Sequence, residues 1–457
     1  MVLEHLLHSV PLRESPTLNR GIGPKTIRRS NSSNSLSLTP QTYASFMSNL
    51  AISVDPTEVG LDPQRLARIE THFAKYVDNG KLPGFHITVS RAGKLAYSSM
   101  YGHADVENGK PIADDTIYRI YSMTKPICAV AALMLWEEGL FEMRDQVKWF
   151  IPSFGNQKVF RSGTLTAPRY EPVTEPMEMW QLFAHTSGMT YGFVYANPVD
   201  QMYRNAGFEW GTPKGANLEQ ICDALAALPL MFQPGTEWAY SMSIDVLGRV
   251  VEVLSGMTLG EFMQKRIFGP LGMNDTAFYC ESDKADRLAA LYVPNPADKK
   301  RLRSDAMGAG ALNKPIADLG GGGLVSTTSD YLKFAEMLRG GGELNGVRIL
   351  SPRTVEFMGS NHLPGNADLT AYGRPLFSET TFDGVGFGLG VSVTVDPVKA
   401  KVPGSAGDFG WGGAASTNFT VDPKEDLVYM IMTQLLPSST WPLRSQLKQL
   451  VFQSLVD

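Results

Sequence analysis

The feature that most constrains this chain is a lysine placed at the start of an almost wholly apolar stretch. Ser122 and Lys125 stand directly ahead of the apolar run from Ala129 to Trp136, which Glu137-Glu138-Gly139 ends. The run predicts a buried helix that stops at the glycine. A spacing of three residues places the serine and the lysine on one face of that helix, one turn apart. The helix must lie inside a large domain, so a charged side chain at its start needs a specific reason.

The pair Ser122 and Lys125 suggests a chemical reason. Burial disfavours the charged form of a lysine, and a neutral amine can accept the proton of a serine hydroxyl. The N-terminus of a helix also favours negative charge that develops near it. These properties indicate a serine nucleophile with a lysine base. On this stretch alone a helix cap followed by a surface lysine stays an open alternative, because Ser-x-x-Lys is common by chance.

Composition excludes several classes of function. The 457 residues include 41 basic and 46 acidic ones, for a formal net charge of -5, so nucleic acid is not an expected partner. The longest apolar stretches are too short to span a membrane. Cys128, Cys222 and Cys280 are far apart and odd in number, which predicts buried free thiols and a cytoplasmic location rather than a disulfide framework. The histidines form no metal-binding pattern, so we expect no metal and no other cofactor.

The chain divides into a tail and two lobes. Residues 1–50 are polar and rich in Ser and Asn, which predicts a poorly ordered tail rather than an export signal. Strands are expected near both ends of the remaining chain and helices between them. This order predicts an α/β lobe with an antiparallel sheet, built from residues 51–130 and 321–457. Residues 131–320 are expected to form a mainly helical lobe inserted between its two halves.

Particular elements follow from local patterns. Asp62-Pro63 predicts a capped helix start, and Arg91-Ala92-Gly93 predicts a hairpin connection. Thr327 with Asp330 predicts a second capped start, in a helix that opens at Leu324 and runs to Arg339. The other predicted strands are Phe85–Val89, Lys94–Tyr101, Gly386–Val395, Ser416–Val421 and Leu427–Thr433. The other predicted helices include Leu218–Leu228, Ile244–Leu254, Leu259–Ile267 and Leu443–Val456.

Two further segments are candidates for chemistry. Tyr240 follows a Pro-Gly turn and stands just ahead of the helix predicted from Ile244. Taken alone, its hydroxyl is an ordinary core donor. The segment Gly410-Trp411-Gly412-Gly413-Ala414 precedes a predicted strand. Consecutive glycines let backbone N–H groups approach a ligand closely, as an oxyanion hole requires, although such a segment alone is more often a hairpin turn.

Together, Ser122-x-x-Lys125, the later Tyr240 and a glycine-rich strand edge near the C-terminus resemble the serine β-lactamase and penicillin-binding-protein fold. The surrounding motifs stand in the order found in relatives of class C β-lactamases; they include Leu-Phe-Ala-His-Thr-Ser-Gly-Met, Phe-Gln-Pro-Gly-Thr, Pro-Leu-Gly-Met and Gly-Gly-Gly-Leu-Val-Ser-Thr. The resemblance covers roughly residues 55–455. It implies an α+β fold in which the α/β lobe with its antiparallel sheet adjoins an all-helical lobe.

Two departures from class C β-lactamases indicate the subfamily. Those enzymes carry Tyr-x-Asn, whereas Met242 stands at the Asn position here; they carry Lys-Thr-Gly, whereas Trp411-Gly412-Gly413 stands here. The missing amide and cation would bind the amide and carboxylate of a β-lactam. The pattern resembles the family VIII carboxylesterases, which implies hydrolysis of short- to medium-chain carboxylic esters and leaves weak β-lactam turnover open.

The resemblance also implies roles for individual residues. Ser122 is the acylated nucleophile, and Lys125 and Tyr240 share the proton transfers; which of them is the base in acylation stays open, since coupled groups titrate as a unit. The backbone N–H groups of Ser122 and Ala414 form the oxyanion hole. Trp411, with Gly412 and Gly413, binds the substrate.

Other interpretations remain open at this point. The enzyme could be a β-lactamase or D-Ala peptidase, or an acyltransferase that uses the same Ser-Lys-Tyr site, and a non-catalytic scaffold is a further alternative. His185 is expected to order its loop rather than to act in catalysis. Tyr191 and Phe193 are as compatible with ordinary core as with a substrate pocket. The natural substrate and the oligomeric state are not readable from the residues.

Overall fold

The computed structural model describes residues 50–374 and 381–457. Residues 1–49, which hold almost all of the predicted tail, lie outside the described residues. An antiparallel sheet of eight strands runs through the described part. Its strands, in chain order, are β1 Gly84–Arg91, β2 Lys94–Asp105, β3 Lys110–Pro111, β4 Val385–Phe387, β5 Ser392–Thr394, β6 Phe409–Gly412, β7 Asn418–Asp422 and β8 Leu427–Met432.

The sheet is built from both ends of the chain, as the sequence predicts. Its spatial order is β4-β5-β6-β7-β8-β1-β2-β3, so the last strand pairs with the first. In that pairing Ile87 of β1 lies opposite Ile431 of β8. Strands from the two ends of the chain therefore form one sheet, and the long middle segment stands between them in sequence.

Helices cover both faces of the sheet. Those of eight or more residues are α1 Pro63–Asp78, α2 Thr124–Glu137, α3 Pro198–Asn205, α4 Leu218–Ala226, α5 Ser243–Ser255, α6 Thr328–Arg339 and α7 Leu443–Phe452. Shorter α-helical segments are Met179–Phe183, Leu259–Met263, Gly269–Leu271, Asp305–Gly308, Pro352–Met358, Leu369–Tyr372 and Pro397–Ala400, and Gln264–Phe268 forms a π-helical turn. Small two-stranded ladders pair Ile117–Arg119 with Val325–Thr327, Lys158–Thr164 with Ala167–Pro172, Tyr292–Pro294 with Arg301–Arg303, and Glu343–Leu344 with Val347–Arg348.

Alternation along the strands divides most of the core between two large clusters; Ile117, Cys280 and Val325 form a small third one. The odd-numbered residues Phe85, Ile87 and Val89 of β1 pack with α1 and α7 in what we call the outer cluster. The even-numbered residues Val428, Met430 and Met432 of β8 belong to the larger inner cluster, which also contains most of α2. Both faces of the central strands are thus covered.

Helix α2 is buried as the apolar run predicts. Every residue from Thr124 to Leu135 is buried, including Lys125. The helix packs on α5, where the Cys128 thiol lies 3.5 Å from the carbonyl oxygen of Ile244. This burial fixes the position of Ser122, which immediately precedes the helix.

Several predicted helix starts are confirmed by their caps. The Asp62 carboxylate accepts hydrogen bonds from the backbone N–H groups of Gln64 and Arg65 at 2.8 and 3.0 Å. The hydroxyl of Thr327 accepts one from the N–H of Asp330 at 3.2 Å. Side-chain oxygens at these positions satisfy N–H groups that lack partners inside the helix.

Three predicted elements differ from the structure. The predicted strand Gly386–Val395 is a hairpin of β4 and β5, because Gly390 adopts a φ of +81° and turns the chain. Helix α6 begins after its predicted cap Thr327, but Val325–Thr327, in the first part of the segment predicted to open it, is a strand that pairs with Ile117–Arg119. Helix α7 ends at Phe452 rather than Val456.

The middle segment, residues 131–320, also contains β-strands. The hairpin Lys158–Thr164 with Ala167–Pro172 lies within it and was not predicted. The lobe boundaries at residues 130 and 320 stay a prediction. Within the described ranges, every helix is too short or too polar to cross a lipid bilayer.

Candidate active site

Ser122 lies in a strained turn that leads directly into α2. The 3₁₀ turn Tyr121–Met123 precedes the helix, and Tyr121 has a φ of +44°. A non-glycine residue in this region is uncommon and costs conformational energy, so surrounding contacts must hold it. The Ile120 N–H donates to the Leu324 carbonyl at 3.1 Å, and the Tyr331 hydroxyl donates to the Met123 carbonyl at 2.9 Å.

Two proton-bearing side chains converge on the Ser122 hydroxyl. The Tyr240 hydroxyl lies 2.7 Å from Ser122 Oγ, and Lys125 Nζ lies 3.2 Å from the same atom. Lys125 and Tyr240 are each 1% exposed, while Ser122 is 8% exposed. Lys125 Nζ also lies 4.6 Å from the centre of the Tyr240 ring. The structure therefore brings together the three residues that the sequence singles out, with the serine oxygen between the other two.

A glycine loop connects Lys125 to a buried carboxylate. Lys125 Nζ donates to the carbonyl oxygen of Gly321, and the N–H of Gly321 donates to Asp245 Oδ1 at 2.8 Å. A Cβ atom at residue 321 would lie 2.4 Å from Asp245 Oδ2, so any larger residue there would displace the Asp245 carboxylate. Burial raises the pKa of Asp245, while the Lys125 charge and the Gly321 N–H oppose that rise. Asp245 and Gly321 thus fix the direction in which the lysine points.

Trp411 holds Tyr240 from the other side. Its indole Nε1 lies 3.4 Å from the Tyr240 hydroxyl oxygen, and the two ring centres are 5.5 Å apart. Trp411 is itself 1% exposed. It positions the tyrosine, and its predicted role as a wall of the substrate pocket stays a prediction.

The end of β6 lies against the Ser122 turn. A Cβ at Gly413 would stand 2.3 Å from the carbonyl oxygen of Ile120, so the glycine permits this close approach. The Gly413 N–H donates to the Thr417 carbonyl at 2.9 Å, and Arg444 Nη2 donates to the Gly413 carbonyl at 2.8 Å. Within the described ranges the N–H of half-buried Ala414 has no acceptor. It is therefore available to a substrate oxygen, as an oxyanion hole requires.

His185 packs against the ring of Tyr240 and, among the residues described, its side chain forms no hydrogen bond with Ser122. Its ring centre is 5.0 Å from that of Tyr240, and its Nδ1 lies 3.1 Å from the Ser241 hydroxyl. Burial lowers the pKa of His185 well below its usual value, and the charge of Lys125 lowers it further. Its carbonyl also accepts from the Ala239 N–H at 3.0 Å. These contacts fit the predicted role in ordering the loop.

Sequence reasoning missed three residues that shape the site, namely Asp245, Gly321 and Arg444. The available signal for Asp245 was an acidic residue in the first turn of the helix predicted from Ile244, and the signal for Gly321 was the motif Gly-Gly-Gly-Leu-Val-Ser-Thr. Arg444 carried no local signal, because it reaches Gly413 from the C-terminal helix. Cys128, Cys222 and Cys280 are buried free thiols, as predicted. In the part of the chain that the structure describes, no group of His, Cys, Asp and Glu could hold a metal ion.

Comparison with known proteins places this geometry in context. A family model described as Beta-lactamase matches residues 69–451. An uncharacterised protein of Mycobacterium tuberculosis is 36% identical over 79% of this chain and 88% of its own. Esterase EstB of Burkholderia gladioli is 30% identical over 84% of this chain and 94% of its own. The solved structure of EstCE1, a hydrolase with promiscuous acyltransferase activity, has a TM-score of 0.72 and 26% identity, and the match covers 86% of this chain and 99% of that one.

Proposed function

Because the chain belongs to the beta-lactamase family of serine hydrolases, we propose that it is a carboxylesterase that cleaves short- to medium-chain esters through an acyl-enzyme on Ser122. The observation that carries the proposal is the position of Ser122 Oγ, within hydrogen-bond distance of both Lys125 and Tyr240. The presence of Trp411 where a β-lactamase places a lysine favours an uncharged ester over a β-lactam carboxylate. Similarity to esterase EstB supports the same substrate class.

The proposed reaction has two halves. In the first, the Ser122 proton passes to the coupled pair Lys125 and Tyr240 while Oγ attacks the ester carbonyl. The N–H groups of Ser122 and Ala414 bind the oxyanion. The bond to the alcohol breaks, and the alcohol leaves with the proton that the pair held. In the second half, water gives a proton to the pair and attacks the acyl-enzyme, and the released Ser122 recovers that proton.

Acyl transfer is a second candidate that uses the same steps. An alcohol in place of water would attack the acyl-enzyme and yield a new ester. The similarity to EstCE1, whose hydrolase activity is accompanied by promiscuous acyl transfer, favours this candidate. Formation of an ester product when an acceptor alcohol is added would distinguish transfer from hydrolysis.

The first test is the substitution Ser122→Ala. We expect it to abolish hydrolysis of a p-nitrophenyl ester series, because it removes the proposed nucleophile, while leaving the circular dichroism spectrum and melting temperature close to wild type. A serine-directed phosphonate should add its mass to the wild type and not to the variant. A chromogenic cephalosporin, assayed in parallel, should be turned over far more slowly than the esters.

Ser162→Ala is the matched control, since Ser162 is exposed on a hairpin strand. It should retain full activity and phosphonate labelling. Ester cleavage that survives in Ser122→Ala would contradict the proposal. Faster turnover of the cephalosporin than of any ester would instead favour the β-lactamase alternative.

A further inference from the structure

A row of stacked aromatic rings leads from the proposed catalytic pair to the protein surface. The Tyr191 ring centre lies 5.3 Å from that of Tyr240 and 5.5 Å from Lys125 Nζ. Phe193 stacks on Tyr191 with 4.6 Å between ring centres and 19° between planes. Trp210 stacks on Phe193 at 5.2 Å and 10°. We call Tyr191, Phe193 and Trp210 the aromatic row.

Exposure increases along the aromatic row. Tyr191 is 8% exposed, Phe193 is half-buried and Trp210 is 53% exposed. Packing alone does not require a large indole to lie in water at the outer end of such a stack. A Trp ring left in solvent at the outer end of a row that starts at a buried polar centre is more typical of a ligand-binding surface.

The backbone beneath the row holds it in place. A Cβ at Gly192 would lie 2.1 Å from the carbonyl oxygen of Phe208, so the two segments that carry the rings touch through their backbones. The Arg204 guanidinium strengthens this contact by donating a hydrogen bond to the Gly192 carbonyl oxygen. The rings therefore keep a fixed orientation, which lowers the entropic cost of binding a partner.

We propose that the aromatic row is an outer subsite that binds an extended, flat and apolar arm of the ester. The inference rests on the proposed esterase function, since it assigns the region next to the Ser122 centre to substrate. Tyr191 would contact the part of the arm nearest the reacting bond, and Phe193 and Trp210 the part beyond it. The natural substrate then carries an aryl or fused-ring group on its acyl or its alcohol side.

Three ethyl or acetyl esters test the proposal. Ethyl acetate is short on both sides, ethyl naphthylacetate is extended on the acyl side, and naphthylmethyl acetate is extended on the alcohol side. Proton release gives kcat/KM for each ester with the wild type, Phe193→Ala and Trp210→Ala. Loss of one stacking partner should lower the ratio of extended to short ester by about three- to tenfold.

Matched variants separate binding from folding. Trp210→Phe keeps a ring in the stack and should retain most of the ratio. Trp149→Ala removes a Trp that is 61% exposed elsewhere and should leave the ratio at the wild-type value. A merely structural role of the row would lower kcat/KM for all three esters together and leave the ratio unchanged.

Each outcome decides the proposal. A ratio that falls for the acyl-extended or the alcohol-extended ester supports it and identifies the arm that binds. Ratios that stay constant in Phe193→Ala and Trp210→Ala overturn it while the esterase function stands. Absence of cleavage of any ester by the wild type overturns the proposed function and the subsite with it.

Discussion

The two faces of the central sheet use burial for different purposes. On the outer face, Phe85 packs against Phe73 and Tyr101 with ring centres 5.8 and 6.0 Å apart. On the inner side, Lys125 and Tyr240 are equally buried, but their polar atoms converge on one serine oxygen. Apolar burial stabilises the fold. Polar burial on the inner side costs desolvation, and we attribute it to the reaction proposed for this site.

Among substitutions that test this difference between the two faces of the sheet, Lys125→Met is expected to have the largest effect. Removing the amino group removes a proposed partner in proton transfer, so kcat/KM for esters should fall by about 10²- to 10⁴-fold. The free energy of unfolding should change by less than about 2 kcal/mol, because the variant also removes the desolvation cost of a buried polar group. Steady-state kinetics and urea unfolding measure the two quantities.

Lys94→Met provides the control for Lys125→Met. Lys94 is exposed at the start of β2, so both rate and stability should stay near wild type. If Lys125→Met retained more than a tenth of the wild-type kcat/KM, the assignment of this lysine to proton transfer would be wrong.

The next largest effect is expected from a substitution in the outer cluster, which should lower stability and leave activity almost unchanged. Phe85 is fully buried, so Phe85→Ala leaves a cavity and should lower the free energy of unfolding by about 3–5 kcal/mol. The kcat/KM of the molecules that remain folded should stay within about twofold of wild type, since the reaction uses the other side of the sheet. Urea unfolding at low temperature, with activity measured on the same samples, provides both values.

Phe357→Ala is the comparison for Phe85→Ala, because Phe357 is 38% exposed. Its cost should be much smaller, since the ring is already in contact with water. A tenfold loss of kcat/KM in Phe85→Ala would show that the two faces are coupled and would break the contrast drawn above.

The smallest expected effect is on the pH dependence of the free energy of unfolding, and it comes from a buried histidine. His86 follows Phe85 on β1, and its Nε2 lies 3.1 Å from the Ser98 hydroxyl. Burial lowers the pKa of His86 from 6.5 to about 3. As pH falls below 6.5, the unfolded chain binds a proton that the folded chain excludes, so stability falls, by at most about 1.4 kcal/mol per pH unit.

His86→Gln should therefore reduce the loss of stability between pH 6.5 and pH 5. Urea unfolding at a series of pH values measures the slope, and data at pH 8 report the packing cost of the substitution by itself. A slope as steep as that of the wild type would mean that His86 is not among the groups that take up protons on unfolding.

Local sequence indicated the pair Ser122 and Lys125, and resemblance to a known family was needed for the other residues predicted at the reactive centre. The spacing of Ser122 and Lys125 fixes their common helical face wherever that helix lies. The apolar run of α2 indicated a buried helix, and the structure shows that the burial extends to Lys125 at its start. Tyr240 and the Trp411-Gly412-Gly413 segment were identified through resemblance, since neither has a local pattern specific enough to indicate chemistry. Their catalytic roles remain predictions that the variants above address.

Tertiary structure decided the contacts that orient these groups. Asp245 is linked to Lys125 through the backbone of Gly321, and Arg444 of the C-terminal helix α7 donates to the Gly413 carbonyl from 31 residues further along the chain. The strand Val325–Thr327 also depends on a distant partner, which overrode the local tendency toward helix. Such contacts join residues far apart in sequence, so no local period or motif encodes them. The sequence by itself determined which groups are buried, and the packing of distant segments determined what each buried group touches.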